Sequence, residues 1–386
     1  MASSTLSTHS SPLQAQDARF RNLYLHPPDF RHLSRCDADF AAVYADFASI
    51  FNFMDPFFHF TWIGVDFVNT RVKGRQLDFC DPKAVMQLTK TLLKLDFGID
   101  FQLPKDRLCP PVANRHNYIL WLKRLLDSSS YQLPGQSLTG LDIDIDSESL
   151  QWARANVERN GLANRIQLVA RQRHQPLIPL EELGIASIDW VMTNPPFYKS
   201  QHDMLESAKS KSRPPLTACT GSLDEMVTEG GELGFVVRIL QESLQLRERV
   251  QWYTCMLGFL SSVASLVNQL KEAGILNYAV TELVQGNKTR RWAVGWSFGP
   301  MRPAQHVARG TKAASTKMSL LPAPTEADVL EMDICSSIGA FAQKLEGAIG
   351  SLELISWEWN HEALQGTGRA ADRYAFSASE SRYKSL

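Results

Sequence analysis

Apolar and polar residues follow patterns that predict helices and strands along most of the chain. From Asp81 to Phe97, apolar residues recur at helical spacing, and Asp81-Pro82 supplies an N-cap with proline at the first helical position. A second helix is predicted around Asn117 to Leu126. The breaker-rich run SSSYQLPGQ that follows indicates a loop or a domain boundary.

Strand and helix patterns alternate after this run. Strands are predicted at Ser137 to Ile145, Ile166 to Ala170, Ile188 to Met192, WYTCML (252–257), Tyr278 to Val284 and Trp292 to Phe298. Helices are predicted at Ser147 to Asn160, Gly231 to Val250 and Ser261 to Ala273. The order predicts an α/β fold with a doubly wound, mostly parallel sheet of about seven strands that closes with an antiparallel hairpin.

The same patterns predict the domain organisation. The polar residues 1–18 are interpreted as a disordered tail, 19–126 as a helical N-terminal module, 127–299 as the α/β core, 300–324 as a linker and 325–386 as an extension without an assigned role. The Phe-rich stretch from Asp46 to Val68 imitates a membrane span, but Asp55, Pro56, His59 and Asp66 interrupt it. We therefore expect a nuclear or cytoplasmic protein without a signal peptide or transmembrane segment.

Composition restricts the chemistry. The formal net charge is −1, so any contact with nucleic acid must come from local basic patches. The six cysteines are scattered without metal-ligand spacing, and we expect no metal site.

The strongest chemical signal is Asn194-Pro195-Pro196-Phe197, which directly follows the apolar strand IDWVM. The lone pair of an exocyclic adenine amine is delocalised, so a catalyst must localise it. The Asn194 side-chain oxygen and the Pro195 carbonyl can each accept an N–H from such an amine, and Phe197 can stack on an extruded base. The alternative is a proline-stiffened turn that only ends the strand.

A second signal is acidic. A carboxylate at the end of the second strand of a doubly wound sheet accepts hydrogen bonds from ribose hydroxyls, and Asp144 stands at such a place, with Asp142 before it. For Asp146, capping of the following helix is the better interpretation.

Several motifs together resemble one family. They are RNLYLHPPDF (21–30), LDFCDPKAVMQLTKTLLKLDFG (77–98), RHNYILW (115–121), TNPPFY (193–198), RPP (213–215), TEGGELGFVVRIL (228–240), WYTCMLG (252–258) and the QG…RRWAVGWSF hairpin. The chain resembles the family of methyltransferase-like protein sixteen and its bacterial relatives, which make N6-methyladenosine in U6 small nuclear RNA and in large-subunit ribosomal RNA.

The resemblance implies a Rossmann-like class I methyltransferase with an N-terminal module that grips structured RNA. It implies S-adenosylmethionine as the methyl donor, Asn194 to Phe197 as the catalytic tetrad, and donor contacts by Arg115, Asp142, Asp144 and Asn194. RNA phosphates would contact Arg21, Lys199, Lys209, Lys211, Arg213, Arg290 and Arg291. For each of these basic residues, solvation of an ordinary loop is the alternative.

The chain departs from the family at two places. Family members carry a first strand that ends in a glycine-rich loop of the form GLDIGTGAS, whereas here TGLDIDID joins the start of that strand to the end of the second. A Phe-rich insertion also occupies about residues 46–72. A skipped and a retained coding segment would explain both departures.

Three hypotheses follow. The first is an RNA adenine-N6 methyltransferase. The second is an RNA-binding module with impaired catalysis, because the glycine-rich loop is missing. The third is a protein-glutamine methyltransferase, which uses a similar Asn-Pro-Pro-aromatic strand end.

Overall fold

The structure, a computed structural model, describes residues 20–24, 26–46, 75–79, 81–129, 140–210, 221–285, 289–310, 320–324, 338–352, 354–360 and 365–370. The chain divides into two units, residues 1–322 and 323–386. The tail predicted at 1–18 and residues 47–72 of the Phe-rich stretch lie outside the described residues.

The N-terminal elements pack around an apolar cluster of their own. They are α1 (Phe30–Cys36), α2 (Ala38–Val43), β1 (Tyr44–Asp46), β2 (Arg75–Leu77) and α3 (Pro82–Phe97). Strands β1 and β2 are antiparallel. Helix α3 begins as predicted, because the Asp81 side chain accepts a hydrogen bond from the Lys83 backbone N–H at 2.9 Å.

Helix α4 (Val112–Ser129) begins five residues before the predicted start at Asn117. Its apolar face, with Tyr118, Trp121, Leu122 and Leu125, packs with Trp252 and other residues of the neighbouring sheet. Most of this helix falls within the predicted N-terminal module (19–126), but its buried face belongs to the core.

The remaining elements of the first unit follow the predicted alternation. They are β3 (Gly140–Asp144), α5 (Ser147–Arg159), β4 (Ile166–Ala170), β5 (Ile188–Thr193), α6 (Gln201–Ser210), α7 (Leu223–Met226), α8 (Gly231–Leu246), β6 (Val250–Leu257), α9 (Leu260–Glu272), β7 (Tyr278–Gln285), β8 (Thr289–Trp296), α10 (Gln305–Ala308) and β9 (Arg309–Gly310). This succession confirms the predicted α/β class.

These strands form two sheets. Strands β3 and β4 are a parallel pair, and the other five lie in the order β5-β6-β8-β7-β9. Strand β6 is parallel to β5 and antiparallel to β8, which forms the predicted closing hairpin with β7.

The described strands give a mixed sheet and a separate parallel pair in place of one continuous seven-stranded sheet, which agrees with a core that lacks part of the first βαβ unit. In the doubly wound order 3-2-1-4-5, the first strand lies between the second and the fourth. Here β3 pairs only with β4, and β5 only with β6, among the described strands. In that strand order, the unpaired edges of β3 and β5, as far as the structure describes the chain, are the two edges that a first strand would join.

The described part of the predicted linker 300–324 contains a short helix and a short strand. Helix α10 and strand β9 occupy Gln305 to Gly310, and β9 pairs with β7. Val307, Ala308, Leu320 and Leu321 are buried in the core of the first unit. These four apolar residues stand among polar and small residues, so the sequence shows no strand or helix pattern at these positions.

The second unit contains α11 (Ile338–Gly350) and an antiparallel hairpin of β10 (Leu354–Asn360) and β11 (Gln365–Ala370). The rings of Trp357 and Trp359 stack with their centroids 5.8 Å apart. No helix in the described part of either unit has the length and apolar character needed to cross a bilayer.

Candidate active site

The Asn194–Phe197 tetrad directly follows the carboxyl end of β5, as predicted. Pro195 is buried, while Asn194, Pro196 and Phe197 are half-buried. The Asn194 side chain makes no hydrogen bond to any residue that the structure describes. Its amide is therefore available to a ligand at the edge of the sheet where ligands of α/β folds bind.

Two buried hydroxyl groups form hydrogen bonds near the carboxyl end of β5. The Tyr118 hydroxyl lies 2.8 Å from the Thr254 hydroxyl, which donates to the Val191 carbonyl at 2.8 Å. The Tyr118 hydroxyl also contacts the Thr193 backbone, one residue before the tetrad. Tyr118 and Thr254 are fully buried, so water does not compete for these hydrogen bonds. They therefore fix the position of the carboxyl end of β5.

The Phe197 ring packs next to a glycine and an arginine. The Arg291 guanidinium carbon is 5.3 Å from the ring centroid, a cation–π distance. A Cβ added to Gly258 would lie 3.2 Å from the ring, so glycine allows this close approach. Gly231 has φ +64°, and a Cβ there would lie 3.1 Å from the Phe197 carbonyl oxygen.

Arg115 points toward the same end of the sheet. Its guanidinium lies 3.9 Å from the Met256 sulfur. Burial, and in addition the nearby charge of Arg291, lower the pKa of Arg115. The guanidinium groups of Arg115 and Arg291 repel each other. An anion bound between them would offset this repulsion.

The acidic residues of β3 lie at its exposed and half-buried positions. Asp142 is exposed, and Asp144 is half-buried and accepts a hydrogen bond from the Asp146 N–H at 2.9 Å. Burial raises the pKa of Asp144. Asp146 caps α5 through the Glu148 N–H, as its alternative interpretation predicted. It also pairs with the buried guanidinium of Arg107 at 2.9 Å, a contact that the sequence analysis missed.

The predicted RNA-binding residues are only partly brought together. Arg291 lies over Phe197, whereas Arg290 pairs with Glu282 at 3.0 Å. Lys199 is exposed two residues after Phe197, and Arg21 is exposed next to Phe20, whose carbonyl contacts His116 of α4. Lys209 lies on α6 without a described side chain, and Lys211 and Arg213 lie outside the described residues.

Glu232 is a site residue that the sequence analysis missed. Its side chain is 3% exposed and accepts backbone N–H groups from Gly258 at 2.7 Å and Phe259 at 3.1 Å. The sequence feature that could have revealed Glu232 is its position as the one carboxylate among the glycine and apolar residues of GGELGF (230–235). It had no recognisable partner, because Gly258 lies 26 residues away.

Two cavities of about 430 Å³ each lie away from the tetrad. One lies at the amino ends of β5 and β6, the opposite end of β5 from Asn194. The other lies between α8 and the segment 174–182. Neither contains a residue predicted for the site.

Comparison with known proteins places these features in a family context. A family model described as RNA methyltransferase matches residues 41–145 and 135–300, so residues 135–145 take part in both matches. The U6 small nuclear RNA (adenine-(43)-N(6))-methyltransferase of Schizosaccharomyces pombe is 34% identical over 330 residues, which cover 77% of this chain and 84% of that protein. The RNA N(6)-adenosine-methyltransferase METTL16 of Homo sapiens is 36% identical over 72% of this chain, which spans 50% of the human protein.

Solved structures agree with the sequence relatives. A crystal structure of the human METTL16 catalytic domain with MAT2A 3'UTR hairpin 1 has a TM-score of 0.58 at 32% identity, covering 72% of this chain and 96% of that one. A structure of the N-terminal domain of human METTL16 in complex with SAH has a TM-score of 0.54 at 29% identity and covers 73% of this chain and 98% of that one.

Proposed function

The chain belongs to the RNA methyltransferase family, and from this premise we propose that it transfers a methyl group from S-adenosylmethionine to N6 of an adenine in structured RNA. The observation that carries the proposal is the tetrad at the carboxyl end of β5, with an uncommitted Asn194 amide beside a half-buried aromatic ring. The family match to RNA methyltransferases favours RNA over the protein amide of the third hypothesis.

The residues of the tetrad would act by orientation. The Asn194 oxygen and the Pro195 carbonyl would accept the two N6 hydrogens, which localises the nitrogen lone pair. Phe197 would stack on the flipped base. Proline at two successive positions restricts the backbone, and the buried Tyr118 and Thr254 hydroxyls hold the strand end, so little reorganisation is needed.

Three residues would hold the donor. The Arg115 guanidinium would pair with the carboxylate of the methionine moiety, and Asp144 would accept hydrogen bonds from the ribose hydroxyls. Asn194 would lie next to both the donor and the adenine. S-adenosylmethionine, when bound, would supply a methyl group already activated by its sulfonium. The position of Asp144 at the carboxyl end of β3 is the geometric support for this role.

The relatives indicate the class of RNA. The fission yeast relative is named for adenine 43 of U6 small nuclear RNA, and a human structural relative was solved with an RNA hairpin. We propose a loop adenine in U6 small nuclear RNA as the substrate, since unpaired bases are the ones that can be splayed out. This substrate implies a nuclear location.

The test is mass spectrometry of nucleosides from U6 RNA incubated with the purified chain and donor. We expect N6-methyladenosine, formed at least about 100-fold more slowly with Asn194→Ala. Absence of the modified nucleoside with the unaltered chain, on RNA that it binds, would overturn the proposal.

A second function is favoured by the open edges of β3 and β5. Strand β3 runs from Asp144 through Ile145 directly to the helix cap at Asp146, so no glycine turn follows it. The two family matches that share residues 135–145 point to the same missing segment. We therefore propose as the alternative an RNA-binding module with weak donor affinity.

Calorimetry distinguishes the two functions. Heat of donor binding in the micromolar range supports the enzyme, and no heat at millimolar donor supports the module. Sequencing of the messenger RNA would show whether a coding segment for the missing strand exists.

A further inference from the structure

Glu232 places a carboxyl group in a nearly closed environment. It lies in the first turn of α8, at 3% exposure, and no cation pairs with it in the part of the chain that the structure describes. Burial of an unpaired carboxylate is unfavourable unless hydrogen bonds compensate for lost water. The two N–H groups of Gly258 and Phe259 provide this compensation.

These hydrogen bonds join α8 to the turn after β6 at the place where Phe197 packs. A Cβ added to Gly258 would lie 3.2 Å from both the Glu232 carboxylate and the Phe197 ring. Gly258 therefore lies next to both the carboxylate and the ring, and links the two. The position of the ring depends on where the Gly258 backbone is held.

We propose that Glu232 is a positioning residue for methyl transfer. Its carboxylate holds the Gly258–Phe259 turn in place, Phe197 packs against this turn, and the adenine stacks on Phe197. The inference rests on the proposed function. Loss of one of the two hydrogen bonds would let the turn shift by a fraction of an ångström, and the ring would tilt with it. Such a change lowers the rate of the chemical step more than the affinity for RNA.

Helix α8 offers a matched control. Glu242 accepts backbone N–H groups from Leu177 at 2.8 Å and Ile178 at 2.9 Å, the same chemistry on the same helix. Those residues belong to the segment before β5, and no hydrogen bond joins them to the tetrad among the described residues. Glu232→Gln and Glu242→Gln therefore remove equivalent hydrogen bonds with different neighbours.

The experiment compares both variants in methylation of fission yeast U6 RNA, with melting temperatures measured alongside. We expect Glu232→Gln to lower kcat about 10- to 100-fold with KM for RNA changed less than about twofold, and Glu242→Gln to leave kcat within about twofold at a similar loss of melting temperature. Gly258→Ala should reproduce the loss of kcat, and the double variant should lose no more than the worse single one. Equal effects of the two glutamine variants on kcat, or an effect of Glu232→Gln on KM alone, would overturn the inference.

A second measurement does not require methyl transfer. U6 RNA with 2-aminopurine at position 43 reports by fluorescence whether that base stacks on an aromatic ring. If the unaltered chain makes no N6-methyladenosine, but Glu232→Gln alone changes the bound fluorescence, the proposed function fails while the role of Glu232 in placing Phe197 against the base is supported. If the unaltered chain methylates and neither kcat nor fluorescence changes in Glu232→Gln, the positioning role fails alone.

Discussion

Replacement of Asn194 by alanine should separate activity from stability. The side chain is half-buried and makes no hydrogen bond to any described residue, so its removal leaves no partner unsatisfied. The free energy of unfolding should change by no more than about 0.5 kcal/mol. The melting temperature should move by less than about 2 °C.

The effect on the rate should be much larger. In the proposed mechanism the Asn194 oxygen accepts a hydrogen from the amine as the methyl group is transferred. Loss of one such group typically lowers kcat by about 10²- to 10³-fold, or roughly 3–4 kcal/mol. RNA affinity should fall less than about threefold, because other contacts with the RNA remain.

Asn156 provides a control of the same residue type and similar burial. Its side chain bonds the Gln102 backbone twice, as an acceptor at 2.8 Å and as a donor at 2.7 Å. Asn156→Ala should lose about 2 kcal/mol of stability, or roughly 4–8 °C in melting temperature, with kcat little changed.

The assays are nucleoside mass spectrometry for the rate and thermal unfolding for stability. The reasoning about the tetrad would be refuted if Asn194→Ala retained more than about a tenth of the rate. A fall in melting temperature equal to that of Asn156→Ala would show instead that Asn194 has a structural role.

Three further predictions test the surroundings of the tetrad. Arg291→Lys keeps the charge but loses the planar group over Phe197, so kcat should fall several-fold while the salt dependence of RNA binding stays the same in filter-binding assays. Tyr118→Phe removes the buried hydroxyl next to Thr254 and should cost about 1–2 kcal/mol in urea unfolding; no change would contradict the proposed support of the strand end. Because burial raises the pKa of Asp144 in the folded chain, its ionisation destabilises the fold as pH rises through that pKa. Asp144→Asn should therefore raise the melting temperature more at pH 7 than at pH 4, while it weakens donor binding in calorimetry.

Local features of the sequence were enough to locate the tetrad. The apolar strand IDWVM and the two prolines after Asn194 are neighbours in the chain, and the structure ends β5 at Thr193. The cap at Asp81 and the closing hairpin were predictable for the same reason, since each depends on residues close in sequence. The resemblance motifs added the family, which the comparisons then showed.

Contacts between distant residues were decided by the tertiary structure. Glu232 reaches Gly258 across 26 positions and Tyr118 reaches Thr254 across 136, and neither spacing leaves a periodic pattern in the sequence. The polar stretch around Val307 resembled a linker because its few apolar residues are buried by strands far away in the chain. The sequence by itself determined which residues could perform the chemistry, since residue type and local conformation are encoded locally. The environment of each residue, including the open edges of β3 and β5, depends on which strands meet in space.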